Sequence, residues 1–320
     1  MDLIYVNTSK DESILTDYTL DIAFGNDEND FEIKCNINNN VLDYQYLFYV
    51  SEEDKESQYG GIIDSIVVNT KDNTITYGGR SFQGILSSKI IQPDNGQDYY
   101  VVSGNVCNVA RSLISRVGLD DLFVVNNSSS KSIVSYQFDR YIDLYTGIKK
   151  MAKTLNLKVK MAYFDGHIYI NFNEIVDYSD DEEWDSSQMT LTVSNSKNYV
   201  NHLICLGKGE LKDREVIHLY RDNNDSIVST KYYDKLDEIC NVYENTSTDT
   251  LLEDSTTHFK EIIEDIKNTS IDFDAKEYNY DIGDVVGVRE NLTNTFVRRE
   301  IVKTILKIAN GKETITYSIG

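Results

Sequence analysis

The sequence reads as mainly β, with a small α+β unit set between two β units. Three features carry that reading. Short runs rich in Ile, Val, Thr and Tyr recur over the first ninety residues, with Asn, Asp, Gly or Lys between them. Two stretches near the middle switch to helical spacing. After an acidic, apolar-poor segment the strand pattern resumes and continues to the end of the chain.

The first unit, 1–96, has predicted strands at 3–6, 18–24, 31–37, 46–50, 61–69 and 74–77, arranged as a sandwich or barrel. Lys71-Asp72-Asn73 supplies a turn between two β-branched arms. The run TYGGRSFQGILSSKIIQP, 76–93, gathers three of the seventeen glycines and the single proline around Arg80. A phosphate loop needs G-x-x-x-x-G-K-[ST] between strand and helix, and GGRSFQG has neither that lysine nor that spacing. A structural corner fits better. Gly78 and Gly79 would take the chain out of a strand through conformations closed to other residues, 81–88 would make a short turn of helix, and Pro93 would end the extended segment behind it.

The α+β unit covers 97–177. Val106, Val109, Ala110, Leu113, Ile114 and Val117 fall at helical spacings over 105–117, and Gly118 stands where that helix stops. A second helix over 142–155 carries Ile142, Tyr145, Ile148, Ala152 and Leu155, with Asp143 near its start and Lys149, Lys150 and Lys153 toward its end, as the helix dipole prefers. Alternation on both sides of Asp165-Gly166 in LKVKMAYFDGHIYINF predicts a hairpin with a type I′ turn.

The acidic stretch DYSDDEEWDSSQ, 177–188, predicts a solvated linker over 178–189, with Trp184 as a lid on a neighbour. The last unit, 190–320, has predicted strands at 190–193, 202–207, 214–220 and 230–233, and then a helix over 255–268. Ser255 and Thr256 are its cap candidates, and Phe259, Ile262, Ile263 and Ile266 share one face. Closing strands follow, with Asn310-Gly311 as a hairpin turn.

The chain has 53 acidic and 31 basic residues, a net charge of −22, which argues against tight binding to nucleic acid or anionic lipid. No stretch approaches the ~18 apolar residues of a membrane span. The start MDLIYVNTSKDE lacks the basic region and apolar core of a signal peptide, so synthesis and assembly in a cytoplasm are expected. Cys35, Cys107, Cys205 and Cys240 are far apart and read as buried free thiols rather than as metal or redox pairs.

Catalytic chemistry is not visible. His167, His202, His218 and His258 show no metal-ligand spacing and read as structural. No G-x-S-x-G elbow occurs. Acidic neighbours such as Glu52-Glu53-Asp54, Asp120-Asp121 and Asp180 to Glu183 arise without function among 53 acids. A calcium loop at Asp180 to Asp185 lacks the glycine and terminal glutamate of an EF-hand. The expected sets of catalytic, cofactor and metal residues are therefore empty.

The strand GGIIDSI, the hairpin after it and ITYGGRSFQGILSSKIIQP resemble the central signature of phage-tail baseplate hub proteins. Gly60, Gly61, Asp64, Gly79, Arg80, Ser81, Phe82, Gly84, Leu86, Lys89 and Pro93 match it, with Gly78 beside them. The later order of helices and hairpin, NSKNYVNHLICLGKGE, and YDIGDVVGVRE with Gly283 and Asp284 match more loosely.

The resemblance implies two tail-tube-like β-barrel domains flanking the α+β insert. It also implies a homotrimer that adapts a sixfold tail tube to a threefold spike, in a contractile phage tail, a tail-like bacteriocin, a defective prophage or a related contractile injection system such as type VI secretion. Implied partners are the tail tube protein, the spike, other baseplate and wedge proteins and the tape measure. The implied location is the particle's tail baseplate, assembled in the bacterial host's cytoplasm without membrane insertion. With the chain ending at Gly320, cell-wall cleavage would belong to a partner. Arg80 would pair across domains or subunits. The alternatives are a tail-associated wall hydrolase using Asp139, Asp143 and Asp165, and a carbohydrate-binding β module using the tyrosines as a platform.

Overall fold

The computed structural model describes residues 2–26, 28–51, 56–179, 183–185, 200–222, 226–231, 235–246, 250–267, 271–274, 280–290 and 295–320. Strands dominate, as expected. Contacts divide the chain into two units, Met1–Leu191 with Ile271–Ile319, and Thr192–Ser270.

The first unit begins with β1 (Asp2–Val6), β2 (Glu12–Leu15), β3 (Tyr18–Gly25), β4 (Asn29–Asn36), β5 (Leu47–Ser51), β6 (Gly60–Asn69) and β7 (Thr74–Ser81). β4 shows the clean alternation of a sheet with one buried face, with Phe31, Ile33 and Cys35 inward. α1 (Phe82–Ser87) leaves β7 directly, capped by Ser81, whose Oγ accepts from the Gly84 N–H at 3.2 Å. Then come β8 (Val101–Asn105), α2 (Val106–Arg116), β9 (Phe123–Val125), β10 (Ser132–Gln137), α3 (Leu144–Lys153), β11 (Leu157–Phe164), β12 (His167–Glu174) and β13 (Glu183–Asp185). Both helices have side-chain caps, Asn105 for α2 and Asp143 for α3. The β11–β12 hairpin turns on Asp165 and Gly166, whose φ values of +47° and +81° are those a type I′ turn demands.

The second unit holds β14 (His202–Leu206), β15 (Val216–Arg221), β16 (Ile227–Val228), β17 (Cys240–Glu244) and α4 (Leu251–Lys267). β14 pairs antiparallel with β15 and parallel with β17, and Phe259 and Ile263 of α4 pack with Leu203, Cys205 and Leu219. α4 starts four residues before the sequence expectation. Ser255 and Thr256 therefore sit inside it instead of capping it, and the Thr256 hydroxyl donates back to the Leu252 carbonyl.

β18 (Ile271–Asp274), β19 (Val285–Glu290), β20 (Thr295–Ala309) and β21 (Lys312–Ile319) return to the first unit. The expectation had grouped these strands with 190–267. Instead β20 pairs through Lys303–Ile308 with β3, and Leu306 and Ile308 enter the same core as Leu20, Ile22 and Ile33. One sheet thus runs β13-β19-β20-β3-β4-β7-β6-β5-β1-β2, with β21 on β20 and β18 on β21. Among the described residues this path does not return on itself, and neither does the four-stranded sheet of the second unit, so no closed barrel is present.

Two further expectations change. The segment taken as a solvated linker contributes β13, which lies parallel to β19. The core of the α+β region is continuous with the first sheet, since Phe82, Ile85 and Leu86 of α1 pack in one cluster with Val109, Leu113, Ile148 and Ile170. The predicted strand at 190–193, the side chain of Trp184 and the calcium reading at Asp180 to Asp185 lie outside what the structure describes.

Candidate functional site

The glycine-arginine signature folds into a bulged corner. β6 and β7 pair in register from Asn69↔Thr74 to Ser65↔Gly78, and the register then shifts, with Ile63 opposite Gly79. Asp64 is the extra residue. The bulge re-aims its carboxylate along the strand, where it accepts from Arg80 Nε at 2.7 Å, Arg80 Nη2 at 2.9 Å and the Arg80 backbone N–H at 3.2 Å. Arg80 Nη1 donates to Ser88 Oγ at 2.9 Å, just past α1. The guanidinium is held by Asp64 of the neighbouring strand and by Ser88 at the end of α1, an arrangement that ties β6, β7 and α1 together. The hydrogen bond from Arg80 holds the Asp64 carboxyl below the ordinary carboxylate range.

The glycines of the corner serve close approach rather than unusual backbone angles. Gly78 and Gly79 remain inside β7 and neither has a positive φ. A Cβ on Gly79 would lie 2.0 Å from the Ile62 carbonyl oxygen, one on Gly61 2.3 Å from the Arg80 oxygen, and one on Gly84 2.1 Å from the Asn29 oxygen. Phe82 and Leu86 fill the core beneath. The Lys89 carbonyl accepts from the Leu144 N–H at 2.8 Å and so joins the corner to the start of α3, while Pro93 lies in the irregular segment that follows.

Gly283 and Asp284 form a second junction. Gly283 turns the chain with φ +101°, just before β19. Asp284, 1% exposed, accepts from Lys158 Nζ at 2.7 and 2.8 Å, from the Val176 N–H at 2.9 Å and from the Asp281 N–H at 3.0 Å. Lys158 also meets Asp281 at 2.8 Å, and Lys160 reaches Asp281 at 2.9 Å. Burial alone would lower the Lys158 pKa, but hydrogen bonds from the ammonium to Asp281 and Asp284 and the charges of both carboxylates outweigh it and raise the value. Burial opposes ionisation of Asp281 as well, and the two lysines overcome it and pull its pKa down. Nearby, Asp177 accepts from Arg298 and from Ser179, which draws its pKa down to about 2.

Against this geometry stand the solved structures that resemble the chain. The 43 kDa tail protein of prophage MuSo2 from Shewanella oneidensis superposes over 100% of this chain and 98% of its own, with a TM-score of 0.58 and 11% identity. A tail protein from Neisseria meningitidis MC58 covers 99% and 95%, with a TM-score of 0.52 and 11% identity. A chain of the phage P2 baseplate in its activated conformation with Ca covers 99% and 98%, with a TM-score of 0.51 and 10% identity. This is the phage tail-protein fold. No protein-family model matches the sequence, and comparison with curated proteins finds no match.

Within the tail-protein fold, the carboxylates of the hydrolase alternative have separate structural tasks. Asp139 pairs with Lys150 at the surface, Asp143 caps α3 through the Thr146 N–H at 2.9 Å, and Asp165 forms the hairpin turn. His167 lies against the Asp165 carbonyl, and His258 stacks on Tyr243. Three cysteines are buried as expected, and burial lifts Cys35 to about 11. Cys240 is exposed, because it opens the edge strand β17.

One grouping escaped the sequence reading. His202, Glu238 and Cys240 converge in the tail-protein fold, since parallel pairing of β14 with β17 places His202 opposite Cys240. Thirty-six residues separate His202 from Glu238, and no short motif signals a contact made by strand register. Among the described residues no helix is long and apolar enough to cross a membrane.

Proposed function

We propose that the chain is a structural hub of a phage tail or tail-like baseplate, acting through interfaces rather than through a reaction. One observation carries the reading: the fold matches tail and baseplate proteins from end to end, covering nearly the whole of each chain. The two junctions support it, because these polar arrangements of the first unit hold strands to one another. In this proposal three copies form a collar between the sixfold tail tube and the threefold spike. The sheet in which the two ends of the chain pair, through β3 and β20, would supply the wall that meets the tube. The particle is a contractile tail or a relative of one, and its baseplate is where the protein resides. The net charge of −22 suits a channel wall past which DNA must slide without sticking.

Isolated tail tubes incubated with the full chain test the proposal. The expected result is a threefold ring at one tube end in electron micrographs, with no clearing of bacterial cell wall in a zymogram. The Arg80→Ala variant should form fewer such rings. Tubes that remain bare, or wall clearing by the pure chain, would overturn it.

A further inference from the structure

We propose that His202, Glu238 and Cys240 bind one divalent transition-metal ion of the zinc class. Their ligand atoms all lie within 4.8 Å of one another. His202 is buried, at the start of β14, Glu238 comes from the segment just before β17, and Cys240 opens that strand. Two separate pieces of the second unit, β14 and the segment that leads into β17, therefore meet at one point.

The geometry there suits a cation. His202 Nδ1 lies 2.7 Å from Glu238 Oε1 and also 2.9 Å from Cys240 Sγ, while Nε2 of the same ring faces His218 Nδ1 at 2.8 Å. One imidazole nitrogen, one carboxylate oxygen and one sulfur are thus already gathered within ligand distance of a common point. A metal ion at the centre accepts a lone pair from all three, and the thiol proton leaves to solvent as the Cys240 sulfur bonds to the metal as thiolate. Metal–ligand bonds of about 2.0–2.3 Å in a tetrahedron set the ligand atoms roughly 3.3–3.7 Å apart, so the Glu238 oxygen and the Cys240 sulfur each have to draw back from His202 Nδ1 by less than about 1 Å.

The donor set selects the ion. Nitrogen, thiolate and carboxylate together suit zinc and its neighbours, whereas magnesium and calcium take oxygen ligands. The surroundings match a metal site too. His218 stands at the far nitrogen of His202 and fixes its ring, and Lys231 Nζ holds the other oxygen of Glu238 at 2.9 Å. Cys240 is exposed, which leaves a fourth position for water. Reading the trio as a thiol nucleophile beside an imidazole base fits less well, because the neighbouring Glu238 carboxylate opposes a free thiolate.

The test uses the full chain, reduced and stripped of metal, titrated with Co²⁺ as the probe. One equivalent should bind, with a thiolate-to-cobalt charge-transfer band in the near ultraviolet and tetrahedral bands in the visible, and Zn²⁺ should displace it. Cys240→Ser, at an exposed position that folding tolerates, should lose the charge-transfer band. His218→Ala should keep that band but bind about 10–100-fold more weakly. Absence of saturable binding, a spectrum without the thiolate band, or a band that survives in Cys240→Ser would overturn the assignment. None of these outcomes depends on whether the chain caps a tail tube.

Discussion

The Lys158 side chain is 6% exposed and its ammonium lies between two carboxylates, so each of the three charges depends on the others. Replacing Asp284 by alanine removes the acceptor for Lys158, for the Val176 N–H and for the Asp281 N–H together. The expected loss is about 3–5 kcal/mol, the range for breaking a buried ion pair from one side, read from urea unfolding of the full chain. The same cluster sets a pH window. Asp281 has a lowered pKa, so its contribution is complete above the ordinary carboxylate value of about 3.9 and is lost as pH falls through the folded value. Lys158 has a raised pKa, so its contribution is complete below about 10.4 and is lost as pH rises through its folded value. Urea midpoints should hold level between these limits and decline on both sides, and in Asp284→Ala the alkaline decline should begin at lower pH. The sequence did not show this. LKVKMAY alternates as though Lys158 faced water, and only the distant Asp281 and Asp284 make its burial tolerable.

Elements whose cause is local were legible, and those closed by distant partners were not. The helices α2 and α3, the Asp165-Gly166 turn and the Asn310-Gly311 turn all follow from spacing, caps and residues that accept positive φ. The bulge at Asp64 had no such cue, because the register shift arises only when β6 meets β7. Two substitutions separate the roles glycine has in these elements. Gly79→Ala drives a Cβ to 2.0 Å from the Ile62 carbonyl oxygen, a backbone atom that cannot step aside, and should destabilise by about 3 kcal/mol, the upper end of overpacking costs. Gly166→Ala meets no atom within 4 Å and bears only the strain of φ +81°, about 1–2 kcal/mol. Equal losses in thermal unfolding of the two variants would show that space is not what the corner glycine provides.

At the scale of the molecule, the net charge of −22 makes a prediction about the assembled collar. If three copies surround a channel, its wall should be acidic, and rings on tube ends should grow more numerous with added salt, which screens repulsion between copies within about 10 Å at 0.1 M. Rings with a basic inner wall would contradict the sliding role. The fold carries a further consequence through β20, whose C-terminal half pairs with β3 although nearly three hundred residues lie between them in sequence. During synthesis β3 emerges first and waits with an unsatisfied backbone edge until β20 has left the ribosome. A chain released before β20 is made therefore keeps that edge bare and is open to proteases and to pairing with its own kind.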